Sequence, residues 1–359
     1  MTRLAFPSPR EEAWRWSDLA ALPALAGARP SGQPRAVDDL WIDIAGARLL
    51  FVDGVYDASR SNPGPVRIGA ADAKARDHAL GRLAGHDGWT LTLDRAAAVD
   101  PVQIVHVSSG GANHAAAQIV LGEDAAATIV ESFAGEGWVN RAASFTLARS
   151  ARAMVARRFL HDGGFQSHAD TVEIGHGASF VATALVAGGA DSRLDGHLAL
   201  IGEQAFAEAG GALLGRARQR HDASFVVRHA APHGQSRQLW RAVADMQAIC
   251  SAAARVEVAR HAQKTDAEQS LRGLLMARTA AVNLKPELEI FADDVKCGHG
   301  ATVGELDRAA LFYCASRGIP PQAARAILTR AFVADALARI GDQAVREAFS
   351  ETAFGWLSA

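Results

Sequence analysis

The chain has 359 residues, a formal net charge of −2 and a pI of about 6.7. Its length exceeds what one compact core usually fills, which predicts two or three units or an elongated architecture. The near-neutral charge does not indicate binding to nucleic acid or to anionic lipid. Apolar runs are interrupted well before about 18 residues, so the sequence predicts no membrane span.

The first residues and the cysteines both favour a cytoplasmic location. The segment MTRLAFPSPREEAW meets Pro, Arg and Glu before the apolar core of a secretory signal can develop. Only three cysteines occur, Cys250, Cys297 and Cys314, and this small, odd number does not suit a disulfide framework. We therefore expect a reducing compartment.

Residues 1–95 are predicted to form a mixed N-terminal region. A helix is predicted over 9–25, because Glu11 and Glu12 would lie in its first turn. A strand pair is predicted over 40–52, where WIDIAG alternates and RLLFVDG follows a Gly turn.

Residues 96–303 contain short apolar runs separated by Gly, Asp, Asn and His. Two similar segments, HGASFV at His176 and HDASFV at His221, start 45 residues apart (221 − 176). This spacing predicts about two coils of a solenoid, each of roughly 20–25 residues. No long amphipathic helix separates the runs, and Asn-Gly or Asp-Gly hairpins are not the rule, so a βαβ sheet and a sandwich are less favoured. The predicted core is a right-handed parallel β-helix.

Residues 304–359 are predicted to form a C-terminal helical domain. Helices are expected over 305–316, then from Pro320-Pro321 to Gly341, then over 342–356. We expect these helices to cap the open end of the β-helix and to offer a docking surface. The fold class is therefore mainly β, with an α/β region before the β-helix and helices after it.

The strongest candidate site lies in Asn283–Asp307, NLKPELEIFADDVKCGHGATVGELD. Cys297 and His299 are two residues apart on an extended segment, so they share one strand face, about 6.6 Å apart at Cα. A thiolate and an imidazole can share a metal ion, but two ligands do not close a site that normally needs four. The missing ligands must come from another chain or from distant residues. The alternative is a buried cysteine beside a hydrogen-bonded histidine.

Other polar residues carry weaker signals. Asp293 and Asp294 could pair in a lyase or glycosidase, but a turn is favoured because adjacent strand residues point to opposite faces. The chain has no Gly-Lys dipeptide and hence no phosphate-binding P-loop, and it has no Cys-x2-Cys pair. A structural role is predicted for two cysteines and six histidines: Cys250, Cys314, His168, His176, His197, His221, His229 and His233.

The segment from Asn283 to Asp307, followed by ALFYCASRGIP, resembles the signature region of the SufB/SufD family of iron–sulfur cluster assembly scaffolds. HAQKTDAEQSLRGLLMARTAAVN and PREEAWRWSDL resemble further family stretches, whereas the middle of the chain is similar in texture only. Gly300 follows His299 where SufB usually carries Glu, and no separate cluster cysteine stands out. The resemblance is therefore to the SufD branch, and the chain is short for it, which predicts a reduced N-terminal region.

The resemblance implies a non-enzymatic scaffold subunit that pairs with a SufB-like paralogue through the β-helix ends. It places Cys297 and His299 near that interface, with an iron ion or cluster held transiently and shared with the partner. No cofactor would be held stably by this chain alone, and participation of a flavin stays open. A SufC-like ABC-type ATPase would supply ATP hydrolysis and dock on the C-terminal helices, through Leu306, Leu311, Phe312, Tyr313 and Arg317.

Two alternatives remain at this point. One is a stand-alone homodimer in which two Cys297/His299 sets form a four-ligand metal site. The other is a β-helix polysaccharide lyase or hydrolase that uses Asp293 and Asp294.

Overall fold

The computed structural model describes residues 6–30, 32–74 and 78–358. The strands are β1 Ala47–Val52, β2 Val55–Tyr56, β3 Arg67–Ala70, β4 Asp87–Leu93, β5 Val102–Leu121, β6 Ala126–Leu147, β7 Arg152–His161, β8 Phe165–Ile174, β9 Ser179–Val186, β10 Asp191–Leu200, β11 Phe206–Gly215, β12 Arg220–His229, β13 Gln235–Ala244, β14 Ile249–Val258, β15 Asp266–Leu275, β16 Ala281–Ile290 and β17 Lys296–Gly304. The helices are α1 Leu22–Gly27, α2 Arg308–Ser316, α3 Pro321–Leu337 and α4 Gln343–Ser358, with 3-10 turns at Glu12–Trp14, Asp38–Leu40, Ala58–Arg60 and Gly81–Ala84.

Parallel strands stack in two ladders that form the two walls of a solenoid. The first ladder contains β7, β9, β11, β13, β15 and β17, and the second contains β8, β10, β12, β14 and β16. The long strand β6 belongs to both, because its first half pairs with β7 and its second half with β8. The structure confirms a mainly β protein with a parallel β-solenoid core.

The coils are longer than the sequence predicts. Phe206 lies beside Gln235 and Arg220 lies beside Ile249, so a central coil takes 29 residues (235 − 206). The prediction of 20–25 residues was wrong because HGASFV enters β9 and HDASFV enters β12, in opposite ladders. Their 45-residue spacing therefore corresponds to about one and a half coils.

Alternate residues of every ladder strand point into the lumen, which forms the main hydrophobic core. Rings stack there in register from one coil to the next. The Phe133 and Phe159 centroids are 5.0 Å apart, and His106 lies on the other face of Phe133 at 4.7 Å. Such stacking adds to the free energy gained by burying apolar surface.

The C-terminal helices lie along the outer face of the first ladder. Val333 of α3 and Phe349 of α4 are fully buried against Ala212 and Leu214 of β11. The helices do not cap the end of the solenoid as expected, because their apolar residues match the apolar outer face of this ladder. The final coil is left accessible.

The N-terminal segment covers the outer face of the second ladder. The helix predicted over 9–25 is wrong, since only the 3-10 turn and α1 are helical there. Between them, the Ser17 hydroxyl donates a 2.5 Å hydrogen bond to the buried carboxylate of Asp222, so a tertiary contact outweighs helix propensity. Of the strand pair predicted over 40–52, only the second strand is present, as β1, and its antiparallel partner is the short β2 beyond the predicted range. In the described part of the chain, no helix has both the length and the apolar character needed to cross a bilayer.

Candidate functional site

The candidate site lies on the last coil of the solenoid. Strand β16 is the final rung of the second ladder and pairs with β14, while β17 is the final rung of the first ladder and pairs with β15. Within the described residues, the register of β16 pairs it with β14 alone and that of β17 with β15 alone, so one edge of each strand is free. The solenoid therefore ends in an open mouth with two free strand edges.

Cys297 and His299 line this mouth. They lie beside Ala267 and Gln269 of β15, which are buried in the lumen. Because side chains of neighbouring parallel strands share a face, Cys297 and His299 also face the lumen. The register confirms that the two side chains share one face of the strand.

The two side chains differ in their surroundings. Cys297 is half-buried and packs against a small apolar cluster that includes Leu288 and Val295. Burial raises the pKa of the Cys297 thiol, a backbone hydrogen bond at Ala267 opposes the rise, and the charge of Asp266 adds to it. His299 is exposed, and no described residue hydrogen-bonds its ring. The site thus has one half-buried thiol and one exposed imidazole whose ring has no hydrogen-bond partner among the described residues.

The rim of the mouth is apolar. Ile290, Phe291 and Val303 are exposed, with Phe291 at 64% of its full accessibility. Exposed apolar side chains beside free strand edges are typical of a protein interface, because both are costly to leave in water. The geometry suits a partner that adds strands and covers the lumen.

Cys297 and His299 are the two candidate metal ligands at the mouth. Among the described residues, no group of three or more His, Cys, Asp or Glu side chains is placed to hold a metal ion. Cys297 and His299 therefore have no further protein ligand beside them in this part of the chain. A metal site normally needs about four ligands, so whether these two side chains bind a metal stays a prediction.

Asp293 and Asp294 form the bend between β16 and β17, as the turn prediction expects. Asp294 is ion-paired with Lys264 of the preceding coil, and its backbone N–H donates to Gln263 Oε1 at 2.9 Å. These contacts join the corner of the last coil to the corner of the preceding coil.

The remaining two cysteines and three of the six histidines predicted to be structural are buried. Cys250 is fully buried, and burial raises its pKa to about 12, while Cys314 is buried in α2. His168, His221 and His229 are buried, whereas the other three predicted structural histidines are more exposed: His176, His197 and His233.

Sequence reasoning missed a second polar cluster, made by Glu131, Arg157 and Asp170 inside the lumen. Arg157 donates to Glu131 Oε2 and to Asp170 Oδ2, both at 2.6 Å. Each of the three is at most 5% exposed. Their even spacing from apolar neighbours such as Phe133 and Phe159 is the signal that could have placed them in the lumen.

Helix α2 presents a separate exposed patch. Phe312 is 76% exposed and Tyr313 is 60% exposed, and the Arg317 guanidinium carbon lies 5.3 Å from the Tyr313 ring centroid. Leu306 and Leu311, which were predicted to contact the same partner, are half-buried. The α2 patch is therefore Phe312, Tyr313 and Arg317.

Residues 104–332 match the family model described as SUF system FeS cluster assembly, SufBD core domain. The chain belongs to the SufB/SufD family. It is 28% identical to the iron–sulfur cluster assembly protein SufD of Escherichia coli K12, over 97% of this chain and 88% of that protein. Similar relatives are SufBD family proteins of Synechocystis, 25% identical over 94% of this chain and 84% of theirs, and of Mycobacterium tuberculosis H37Rv, 26% identical over 95% and 87%. Membership assigns the chain to iron–sulfur cluster assembly in the SUF system, as a scaffold-like component.

Proposed function

We propose that this SufB/SufD-family chain contributes Cys297 and His299 to a cluster site that a docked SufB-like paralogue completes. The single observation that carries the proposal is the placement of both side chains at the open mouth of the solenoid. Thiolate and imidazole suit iron, and the partner supplies the remaining ligands. The iron or the cluster is cargo and leaves the site.

The free edges of β16 and β17 support docking at this end. A partner strand placed beside each edge would satisfy backbone groups that are otherwise left to water, and the apolar rim would be buried. The mouth would then become an enclosed space between two solenoids. Enclosure protects a nascent cluster from water and from oxidants.

The α2 patch is proposed to dock a SufC-like ATPase. Two large exposed aromatic side chains next to an arginine have the composition of binding hot spots. The chain lacks a P-loop of its own, so the hydrolysis of ATP belongs to the partner.

We propose a cytoplasmic location, which the three unpaired cysteines support.

The test of the site is His299→Ala in the complex reconstituted with the paralogue and the ATPase. Cluster yield, followed by absorbance and iron content, should fall severely while complex formation is retained. The control is His86→Ala, which removes an exposed histidine of the N-terminal region. An undiminished yield from the His299 variant would refute the site.

The test of the docking patch is Phe312→Ala. Loss of a hot-spot aromatic costs about 2 kcal/mol or more, which corresponds to about thirtyfold weaker ATPase binding. The control is Ile327→Ala, because Ile327 is an exposed apolar residue of α3 outside the patch. Equal ATPase binding by both variants would show that α2 is not the docking surface.

The homodimer is the alternative to this assembly. A stable homodimer of the isolated chain with one tightly held metal ion would favour it.

A further inference from the structure

We propose that Gln269 positions the imidazole of His299, by accepting a hydrogen bond from one ring nitrogen and so directing the other nitrogen towards iron. This inference rests on the proposed role of His299 as a ligand. It concerns the assembled complex, in which the mouth is covered by the partner.

The first observation is the strand register. Gln269 of β15 is the direct neighbour of His299 in β17, and both side chains are on the lumen face. Neighbouring strands lie about 4.8 Å apart, so side chains at paired positions are within reach of each other. No other rung separates the amide from the ring.

The second observation is the fixed orientation of the Gln269 amide. The side chain is 1% exposed, and its Nε2 donates to Ala254 O at 2.9 Å and to Glu287 O at 3.3 Å. Rotating the amide group by about 180° would place Oε1 beside these two carbonyl oxygens, where acceptor would face acceptor. The amide is therefore held with Oε1 as the available group.

The third observation is that Gln269 Oε1 is buried with no donor among the described residues. A buried acceptor without a partner costs about 1–3 kcal/mol, so it is a place where a donor is expected. The ring of His299 on the next rung carries an N–H that no described group accepts. Gln269 Oε1 and the ring N–H of His299, each without a hydrogen-bond partner among the described residues, thus lie on neighbouring rungs.

A hydrogen bond between them has a defined chemical consequence. Neutral imidazole has one N–H and one lone pair, so fixing the N–H on Gln269 leaves the lone pair on the other nitrogen. Metal-bound histidines usually donate their second nitrogen in this way, and loss of the acceptor typically costs 10–100-fold in metal affinity or activity. Gln269 would act through His299 and would not touch iron.

The chain supplies a matched control in Gln238, which precedes Gln269 in the same ladder. Gln238 is also 1% exposed, its Nε2 donates to Arg255 O at 2.9 Å, and its Oε1 has no partner among the described residues. It differs in being one rung further from His299. Gln238→Leu therefore removes the same amide from the same environment without touching the ring.

The experiment compares Gln269→Leu, Gln238→Leu and His299→Ala in the reconstituted complex loaded with Fe²⁺ and sulfide. We measure iron affinity and the nitrogen hyperfine coupling of the reduced cluster by electron spin echo envelope modulation. We expect Gln269→Leu to weaken iron binding about tenfold or more and to weaken or broaden the coupling that His299→Ala abolishes. Gln238→Leu should match the unmodified complex in both measurements, with a urea midpoint like that of Gln269→Leu.

The outcomes separate the two proposals. If His299→Ala leaves iron binding and the nitrogen coupling intact, the assignment of His299 as a ligand fails. If His299→Ala removes both but Gln269→Leu behaves like Gln238→Leu, the positioning role of Gln269 alone is overturned.

Discussion

Two of the polar clusters in the lumen have the same position relative to the strands and opposite surroundings. Glu131, Arg157 and Asp170 lie between coils on both sides and are closed off from solvent. Cys297 and His299 lie on the last rung, where one side is open. A polar lumen residue is thus closed off from solvent inside the stack and accessible at its end.

The electrostatics of the closed cluster show how complete its pairing is. Burial raises the pKa of Glu131, but the charge of Arg157 and the His106 ring, whose Nε2 is 3.5 Å from Oε1, outweigh it, so the pKa is well below its usual range. Burial likewise raises the pKa of Asp170, but the effect of Arg157 acts in the opposite direction, and the pKa is below its usual value. Arg157 bonds both carboxylates, so the cluster depends on it.

The largest effect is therefore expected for Arg157→Met, which breaks the closed cluster. It removes the guanidinium that bonds both buried carboxylates and should lower the free energy of unfolding by about 3–5 kcal/mol. Urea denaturation followed by circular dichroism measures the change. A loss no larger than that of an exposed arginine variant, such as Arg218→Met, would contradict this account.

Acid should also act on the closed lumen. Burial, with Arg141 adding to it, lowers the pKa of His106 to about 4, and burial lowers that of His221 to about 4. These rings are neutral when folded, while the unfolded chain takes up protons below about pH 6.5. Stability should therefore fall from pH 6.5 towards pH 4, and carboxylates with lowered pKa add to the loss below about pH 4.3.

Urea midpoints at pH 8, 6.5 and 5 check the acid prediction. His221→Gln removes one of the buried titrating rings, so its midpoint should change less steeply over this range. A midpoint independent of pH in the unmodified chain would show that these histidines do not charge on unfolding.

At the open mouth the expected effect on stability is small. His299→Ala removes an exposed side chain that has no hydrogen-bond partner among the described residues, so the free energy of unfolding should change by no more than about 0.5 kcal/mol. The same urea measurement applies. A loss approaching that of Arg157→Met would mean that His299 is a structural residue and would weaken the comparison.

The reactivity of the three thiols should also differ between the open mouth and the buried positions. Cys297 is half-buried at the mouth, whereas Cys250 and Cys314 are buried. Iodoacetamide at pH 8 should modify Cys297 first in the folded chain, because access and thiolate content both limit the reaction. Peptide mass spectrometry identifies the site, and Cys297→Ser is the control. Faster labelling of Cys250 would show that the lumen is open elsewhere.

Several features of this protein were determined by its sequence alone. The alternation through Leu288 and Ile290 indicated a strand, the Asp293-Asp294 pair indicated a turn, and the spacing of Cys297 and His299 placed them on one face. Each of these inferences depends on backbone geometry within a few residues, which local sequence controls. The helical pattern after residue 304 is of the same kind.

Other features were decided only by the tertiary structure. The coil length, the position of the helices along the first ladder and the broken helix near Ser17 depend on which distant surfaces meet, and local sequence does not encode that. The same is true of the exposure of the candidate site. Whether a lumen-facing side chain is closed or open depends on whether another coil stacks on it, and β17 is the rung on which the stack ends.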